Sequence, residues 1–241
     1  MANILRSDDR GIAILTFNRP ERLNAINTIM LAELDAHLAA IESDSSRAFV
    51  ITGSPRAFCV GSDLKEVGAD GDARIRHMHA LAQRLREFPK IGVAAMAGYA
   101  LGGGLEMALG LHFRLAAPGA ILGLPEVKLG LMPAYGATQL LPRLIGETRT
   151  LDLMLSGDPI DPATALSWGL VDRISENVVQ AAVDFALARA GNKPIAEAAI
   201  RQAVHASHLP LPEGMELEWK LALATSASDQ ARAALAAFKA G

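Results

Sequence analysis

The hydrophobic residues of this chain fall into short apolar runs that alternate with segments of helical spacing. Residues 11–17, 48–52 and 91–98 form apolar runs, which favour buried strands because a strand covered on both faces lacks polar alternation. Residues 29–41 and 73–87 instead carry apolar side chains at helical spacing. Strands that alternate with helices predict an α/β fold.

The second half of the chain continues this alternation and then becomes helical. Two further strands and three helices are predicted over residues 114–117, 120–124, 138–145, 149–155 and 162–168. From residue 178 onward the sequence is rich in alanine and helical, with interruptions near residues 191–194 and 210–214. We therefore expect a core over residues 1–190 and a helical region over residues 191–241.

The central apolar stretch, residues 91–113, carries a single charged side chain, Glu106. Three consecutive glycines, Gly102 to Gly104, precede it at the predicted start of a helix. A carboxylate in apolar surroundings must be paired or must hold its proton more tightly than in water. Glycine-rich backbone entering a helix also leaves N–H groups free for a ligand. Close packing of strand on helix, with Glu106 complementing the helix dipole, is an alternative that the stretch alone leaves open.

A second isolated carboxylate, Glu126, follows the apolar run 120–124 and is the only charged side chain between Arg114 and Lys128. Two carboxyl groups in a dry pocket suit general acid–base catalysis. Proton transfer at a carbon beside a carbonyl also requires donors for the developing enolate oxygen, which backbone amides at glycine-rich turns supply. The glycine loop before Glu106 offers one such amide, and the Gly61–Ser62 turn offers another. The sequence alone does not place these groups together.

Composition limits the classes of function. The chain has 241 residues, 51% of them hydrophobic, and a formal net charge of −3 without a basic run, which disfavours nucleic-acid binding. The single cysteine excludes an internal disulfide and is typical of a reducing compartment. The first residues lack the apolar segment of a signal peptide, and Glu106 with the glycine run argues against a membrane span over residues 91–113. We therefore expect a soluble cytoplasmic protein.

Other reactive side chains indicate no further chemistry. No sequence feature pairs Cys59 with a histidine, which favours a buried core residue. His77 and His79 are two positions apart on a predicted helix and so point in different directions, which argues against a metal site and favours solvent exposure. The glycines do not fit the dinucleotide-binding pattern, and no Gly-Lys-Ser/Thr occurs.

Five segments in order along the chain resemble the enoyl-CoA hydratase/isomerase family, also called the crotonase superfamily. They are NRPERLNAI (18–26), AFCVGSDLKE (57–66), AGYALGGGLEMAL (97–109), LGLPEVKLGLMPAYGATQLLPRLIG (122–146) and SWGLVDRI (167–174), with a weaker match at SDQARAALAAF (228–238). The resemblance implies an α/β spiral of ββα units with a helical C-terminal trimerisation region, assembled as a homotrimer or a dimer of trimers.

The same resemblance implies an active site. The amides of Ser62 and Gly103 are placed as the oxyanion hole for a thioester carbonyl. Glu106 is placed to position and deprotonate water, and Glu126 to handle the proton at C2. In enzymes of this kind water adds to a 2-enoyl-CoA to give a 3-hydroxyacyl-CoA, with no metal and no cofactor, because coenzyme A is part of the substrate.

Contacts with the acyl-CoA also follow from the resemblance. They fall on Arg22, Leu23, Ala25, Ala57, Asp63, Leu64, on Tyr135 at the acyl pocket and, from a neighbouring subunit, on Phe238. The family's lysine three residues after that phenylalanine falls on Gly241, which has no side chain to make the contact, and Lys239 is a weak substitute. The usual Gly-Ala-Gly-Gly reads Ala134-Tyr135-Gly136-Ala137 here, a departure that affects chain-length preference more than the reaction.

Alternatives stay open within and beyond this scaffold. A double-bond isomerase, with one glutamate as proton shuttle, and another acyl-CoA lyase are the nearest. A non-catalytic RNA-binding member is disfavoured by the net charge and by the absence of a basic helix. A protein that only scaffolds an assembly is a further possibility.

Overall fold

The computed structural model describes residues 2–66, 71–191 and 193–240. The chain divides into two units, Met1–Ala188 and Arg189–Gly241. The predicted boundary between residues 190 and 191 lies close to this division. The larger unit contains every described strand, and the smaller unit is helical.

The larger unit is built around a six-stranded sheet in the order β1-β2-β3-β5-β7-β9. β1 pairs antiparallel with β2, and the remaining pairs are parallel. The strands are β1 (Ile4–Asp9), β2 (Ile12–Phe17), β3 (Ala48–Thr52), β5 (Ile91–Met96), β7 (Phe113–Ala116) and β9 (Arg173–Ile174). β3 and β5 are buried at every residue, as their apolar runs predict. β1 was not predicted, because this edge strand is largely polar.

A second sheet of three short parallel strands, in the order β4-β6-β8, carries the loops of interest. Its members are β4 (Ala57–Cys59), β6 (Tyr99–Leu101) and β8 (Ile121–Gly123). Only β8 was expected as a strand. β4 and β6 are too short to show a period of two. Gly98, with a positive φ of 58°, precedes β6, so a short strand lies between the apolar run 91–98 and the glycine loop.

Helices surround these sheets and form the smaller unit. They are α1 (Thr28–Ser43), α2 (Gly71–Glu87), α3 (Gly103–Gly110), α4 (Ala137–Leu140), α5 (Pro142–Ile145), α6 (Glu147–Ser156), α7 (Pro162–Trp168), α8 (Val178–Leu187), α9 (Pro194–His205), α10 (Leu211–Ser226) and α11 (Asp229–Ala240). Short 3-10 helices span Pro20–Arg22, Pro125–Leu129 and Ala206–His208.

Two predicted helix boundaries were wrong. The single helix expected over residues 138–145 is divided into α4 and α5, since Pro142 lacks the N–H that would continue the ladder. The interruption expected over residues 210–214 ends earlier, because α10 begins at Leu211 with Pro212 and Gly214 in its first turn.

The apolar core joins the two sheets of the larger unit. Phe17 of β2 packs against Phe58 of β4 with ring centroids 5.5 Å apart, and α8 contacts β3 and β5. In the part of the chain that the structure describes, no helix is both long enough and apolar enough to cross a membrane. The core therefore fixes the small sheet, and with it the loops that leave its strands.

Candidate active site

The carboxyl ends of the small sheet open on a cavity of about 770 Å³. Ser62 follows β4, Gly103 and Glu106 follow β6, and Glu126 follows β8. Because the three strands are parallel, the segments that leave them meet at one edge of the sheet, where α/β folds gather ligands. All four of these residues line the cavity. The structure thus brings together the groups that the sequence could not place.

Two residues that line the cavity have backbone amides with no hydrogen-bond acceptor in the part of the chain that the structure describes. The Ile26 amide donates to the Gly61 carbonyl at 2.7 Å and the Asp63 amide donates to the Ile26 carbonyl at 2.8 Å, which fixes the turn around Ser62. Within the described residues, the N–H groups of Ser62 and Gly103 donate to no protein acceptor. A Cβ on Gly61 would lie 3.0 Å from the Gly103 nitrogen, so the two loops are in close contact.

Glu106 is buried, with 1% of its surface exposed. Its Oε1 accepts hydrogen bonds from the amides of Tyr135 at 2.8 Å and Ala137 at 3.0 Å. Burial raises the pKa of Glu106 to about 7, against the opposing effect of these N–H donors. The nearby charge of Glu126 contributes to the same rise. The group therefore changes its protonation state near neutral pH.

Glu126 lies in the 3-10 helix after β8 and points back toward the glycine loop. Its Oε1 lies 2.7 Å from the position that a Cβ on Gly102 would take. Its Oε2 is buried and accepts no hydrogen bond from any described residue. Burial raises the pKa of Glu126 above its ordinary value. The cavity thus holds two carboxyl groups that both retain protons more tightly than in water.

Comparisons with known proteins agree with this geometry. The sequence model of the enoyl-CoA hydratase/isomerase family matches residues 7–240. The chain belongs to this family. A protein of Rhizobium meliloti named probable enoyl-CoA hydratase is 35% identical over 94% of this chain and 91% of its own length. The fatty acid oxidation complex subunit alpha of Shewanella baltica is 40% identical over 84% of this chain, which covers 30% of that longer protein.

Solved structures of the enoyl-CoA hydratase/isomerase family show the same fold. The crystal structure of an enoyl-CoA hydratase from Bacillus anthracis superimposes with a TM-score of 0.91 at 30% identity, covering 98% of this chain and 96% of that one. A structure from Geobacillus kaustophilus gives a TM-score of 0.90 at 34% identity, covering 98% and 94%. The predicted crotonase-like α/β fold is confirmed. The predicted trimerisation through the C-terminal region stays a prediction.

The residues that the family resemblance predicted to contact coenzyme A are only partly on the cavity. Those on its wall are Arg22, Ala25, Asp63, Leu64 and Tyr135. Ala57 is fully buried and its carbonyl accepts the Asn24 side chain at 2.8 Å, so it lies behind the wall. Leu23, in the left-handed conformation at φ 49°, also does not line it. Phe238 lies in the helical unit on α11 and is 84% exposed.

Tyr135, which departs from the usual family pattern, lies against the loop that carries Gly103. A Cβ on Gly103 would lie 2.8 Å from its ring carbon Cδ2. Its phenol oxygen is 2.5 Å from Ser62 Oγ and accepts a hydrogen bond from Arg74 Nε at 3.2 Å. Sequence reasoning missed Arg74, since a cation on an amphipathic helix is typical of a solvated face. No local pattern distinguished Arg74, because its contact with Tyr135 joins residues 61 positions apart.

The remaining reactive groups lie elsewhere in this family member. Cys59 is buried as expected, and burial raises the pKa of its thiol to about 12. His77 was expected in solvent, but its Nε2 is 2.6 Å from Asp35 Oδ2 and the side chain is half-buried. His79 Nε2 is 2.8 Å from the Ala134 carbonyl oxygen. Among the described residues, no three histidine, cysteine or acidic side chains group as metal ligands.

Proposed function

We propose that this protein is an enoyl-CoA hydratase, which adds water reversibly to a 2-enoyl-CoA and forms a 3-hydroxyacyl-CoA. The observation that carries the proposal is the single cavity that holds Glu106, Glu126 and the unpaired amides of Ser62 and Gly103. The similarity to a fatty acid oxidation subunit supports a fatty acyl chain on the thioester. Coenzyme A is part of the substrate, and the reaction needs no cofactor.

The first role falls to the main chain. The thioester oxygen accepts hydrogen bonds from the amides of Ser62 and Gly103. As water attacks C3, negative charge moves from the double bond to this oxygen and an enolate develops. Preorganised donors of this kind each contribute about 3–4 kcal/mol to transition-state stabilisation.

The second role falls to the two carboxyl groups. The pKa of Glu106 is about 7, so near neutral pH a share of the molecules carries it as a carboxylate, whose Oε1 is held by two N–H donors. In that form Glu106 holds the water and takes its proton while the hydroxide oxygen bonds to C3. Among the described residues, nothing donates a hydrogen bond to Glu126 Oε2, so protonation of this oxygen breaks no hydrogen bond. Glu126 therefore carries the proton that is delivered to C2. A proton transfer from Glu106 to Glu126 then restores the starting state.

The remaining contacts hold the coenzyme A portion. Arg22 at the cavity supplies a cation for its phosphates, while Ala25 and Leu64 offer apolar surface. Phe238 completes the site from a neighbouring subunit in a homotrimer or a dimer of trimers. Asp63 holds the loop in place through its ion pair with Arg19 at 3.0 Å.

Crotonyl-CoA turnover, followed by the loss of its ultraviolet absorbance, tests the proposal. Glu106→Gln and Glu126→Gln are each expected to lower kcat for hydration by about 10²- to 10⁴-fold, the usual contribution of a general acid or base. The exposed Glu87→Gln is the matched control and is expected to keep full activity.

A 3-enoyl-CoA supplied to the same variants separates hydration from isomerisation. Double-bond migration that survives in Glu106→Gln while hydration is lost indicates a mixed activity. Wild-type protein without turnover of either substrate, or variants as active as the control, contradict the assignment of the two carboxyl groups.

A further inference from the structure

A chain of hydrogen bonds runs along the cavity wall through Arg74, Tyr135 and Ser62. Arg74 Nε lies 3.2 Å from the Tyr135 phenol oxygen, which lies 2.5 Å from Ser62 Oγ. All three residues line the cavity. A guanidinium group only donates hydrogen bonds, so the phenol oxygen is the acceptor in the first of these contacts.

The protons of this chain can be counted. The two hydroxyl groups carry two protons, and the bond between Ser62 and Tyr135 uses one of them, whichever residue donates it. The hydrogen bond from Arg74 uses neither hydroxyl proton, because the guanidinium group is the donor. Among the described residues, no further group accepts a hydrogen bond from either hydroxyl. One hydroxyl proton is therefore left for an acceptor inside the cavity.

Arg74 is held firmly enough to keep this arrangement. It donates through Nη2 to the Ile26 carbonyl, and its Nη1 lies 3.8 Å from Glu66 Oε2. Its side chain is 12% exposed. A charged donor on the phenol oxygen also strengthens the next hydrogen bond along the chain. The remaining proton thus belongs to a polarised, oriented pair of hydroxyls.

The position of this pair identifies the acceptor. Ser62 lines the cavity and its own amide has no acceptor among the described residues, and the Tyr135 ring lies against Gly103, which carries the other such amide. The two residues that carry the hydroxyl pair are therefore, respectively, one of the two amide-bearing residues and the neighbour of the other. An atom that accepts hydrogen bonds from those two amides is therefore the candidate acceptor for the free hydroxyl proton of the Ser62–Tyr135 pair.

We propose that the Ser62–Tyr135 hydroxyl pair supplies a third hydrogen-bond donor to the thioester oxygen, in addition to the two main-chain amides. This inference rests on the proposed function, and it gives the side chain of Ser62 a catalytic role distinct from that of its backbone. The hydrogen bond from this third donor becomes stronger as negative charge develops on the thioester oxygen, so its loss lowers kcat more than it raises KM.

Three variants test the proposal with crotonyl-CoA. Ser62→Ala and Tyr135→Phe each leave one hydroxyl proton, both amides and the phenyl ring, so each is expected to lose less than about tenfold in kcat. The double variant Ser62→Ala/Tyr135→Phe leaves no hydroxyl proton and is expected to lose about 10²-fold or more, with KM little changed. Such non-additivity is the signature of a shared donor.

A second readout is independent of turnover. Butyryl-CoA labelled with ¹³C at its carbonyl carbon cannot be hydrated, and its bound carbonyl stretch falls in frequency with each hydrogen bond. We expect a lower frequency in the wild type than in the double variant, with both single variants close to the wild type. A thermal unfolding curve on each variant verifies that the protein is folded.

The outcomes distinguish the two proposals. A folded double variant with the wild-type carbonyl frequency and wild-type kcat overturns the third donor and leaves the hydratase assignment standing. If the fold-losses of kcat in the two single variants multiply to give the fold-loss in the double variant, the shared proton is overturned. Wild-type protein that lacks turnover but still shows the frequency difference overturns the proposed hydration and leaves the third donor intact.

Discussion

At the scale of single residues, Glu106 is subject to two opposing influences on its charge. Burial disfavours the carboxylate, and the amides of Tyr135 and Ala137 favour it. Burial is the larger effect, so the pKa of Glu106 rises to about 7 from an ordinary value of 4.5. The folded protein therefore holds a proton that the unfolded chain releases between those two pH values.

This shift predicts a pH-dependent effect of Glu106→Gln on stability. Between pH 4.5 and 7 the unfolded chain binds fewer protons than the folded one, so wild-type stability falls as the pH rises. Gln cannot ionise, and its carbonyl oxygen still accepts both amides. The free energy of unfolding of the variant, relative to the wild type, is expected to be higher at pH 8 than at pH 5 by about 2–3 kcal/mol.

Urea titrations at the two pH values measure this difference. The exposed Glu87→Gln serves as the control and is expected to show the same difference from wild type at both pH values. A Glu106→Gln variant whose relative stability is also independent of pH would contradict the raised pKa.

Residue-scale predictions from sequence succeeded where one side chain stood out from its neighbours. A lone carboxylate in an apolar stretch indicated the perturbed Glu106 directly. The cluster of Arg74 with Tyr135 and Ser62 was not predictable, because its members are distant in sequence and each has an ordinary local pattern. Only the fold places them within hydrogen-bond distance.

At the scale of elements, the contact of α3 with β4 determines where the two amides lie. A Cβ on Gly104 would lie 2.3 Å from the Cys59 carbonyl oxygen and 2.7 Å from Cys59 Cβ. The helix therefore rests directly on the strand only because residue 104 has no side chain. The sequence left packing and ligand binding open as roles for the glycine run. In the structure, Gly104 meets the packing requirement and Gly103 presents the amide.

Gly104→Ala is expected to destabilise the protein by about 1–3 kcal/mol, even though Ala favours helices, because the new methyl group overpacks the contact with β4. The displacement also moves the Gly103 amide relative to Ser62, so kcat falls. Gly119→Ala is the control, since a Cβ there meets nothing within 4 Å. Chemical denaturation and crotonyl-CoA turnover measure both effects, and equal stability of the two variants would contradict the prediction.

The strands that carry the site were the hardest elements to predict. The long apolar runs of β3 and β5 showed the large sheet plainly. β4 and β6 contain three residues each, which is too few for a periodic pattern, and they are strands because they pair with one another and with β8. Pairing with neighbouring strands, and not a pattern in the local sequence, therefore determines that these segments are strands.

At the scale of the whole molecule, the helical unit presents a large amount of apolar surface. Large hydrophobic side chains that are more than half exposed on its helices are Ile200, Val204, Leu211, Met215, Trp219, Leu223, Leu235 and Phe238. The alanine-rich sequence predicted that this region is helical, although α10 begins within the expected interruption at 210–214. It could not predict assembly, because contacts between copies leave no periodic pattern of their own in one chain.

We expect the protein to assemble as a trimer or a dimer of trimers, with Phe238 contributing to a neighbour's site. Light scattering is expected to give the mass of three or six chains of 25.4 kDa. Phe238→Ala is expected to raise KM several-fold while kcat stays close to the wild-type value, and Phe238→Leu is expected to restore much of the affinity. A monomeric mass, or unchanged KM in the alanine variant, would contradict this arrangement.

The carboxylate of Glu106 also fastens the turn that carries Tyr135, because its Oε1 accepts the amides of Tyr135 and Ala137. Removal of the Glu106 carboxyl group, as in Glu106→Ala, would therefore remove a structural anchor as well as the proposed catalytic group. We expect it to free the turn that places Tyr135 on the cavity wall, and so to alter which acyl chains the proposed site accepts. Glutamine at this position keeps an acceptor for both amides and alanine does not, so a comparison of the two variants separates loss of the acid from loss of the turn's anchor.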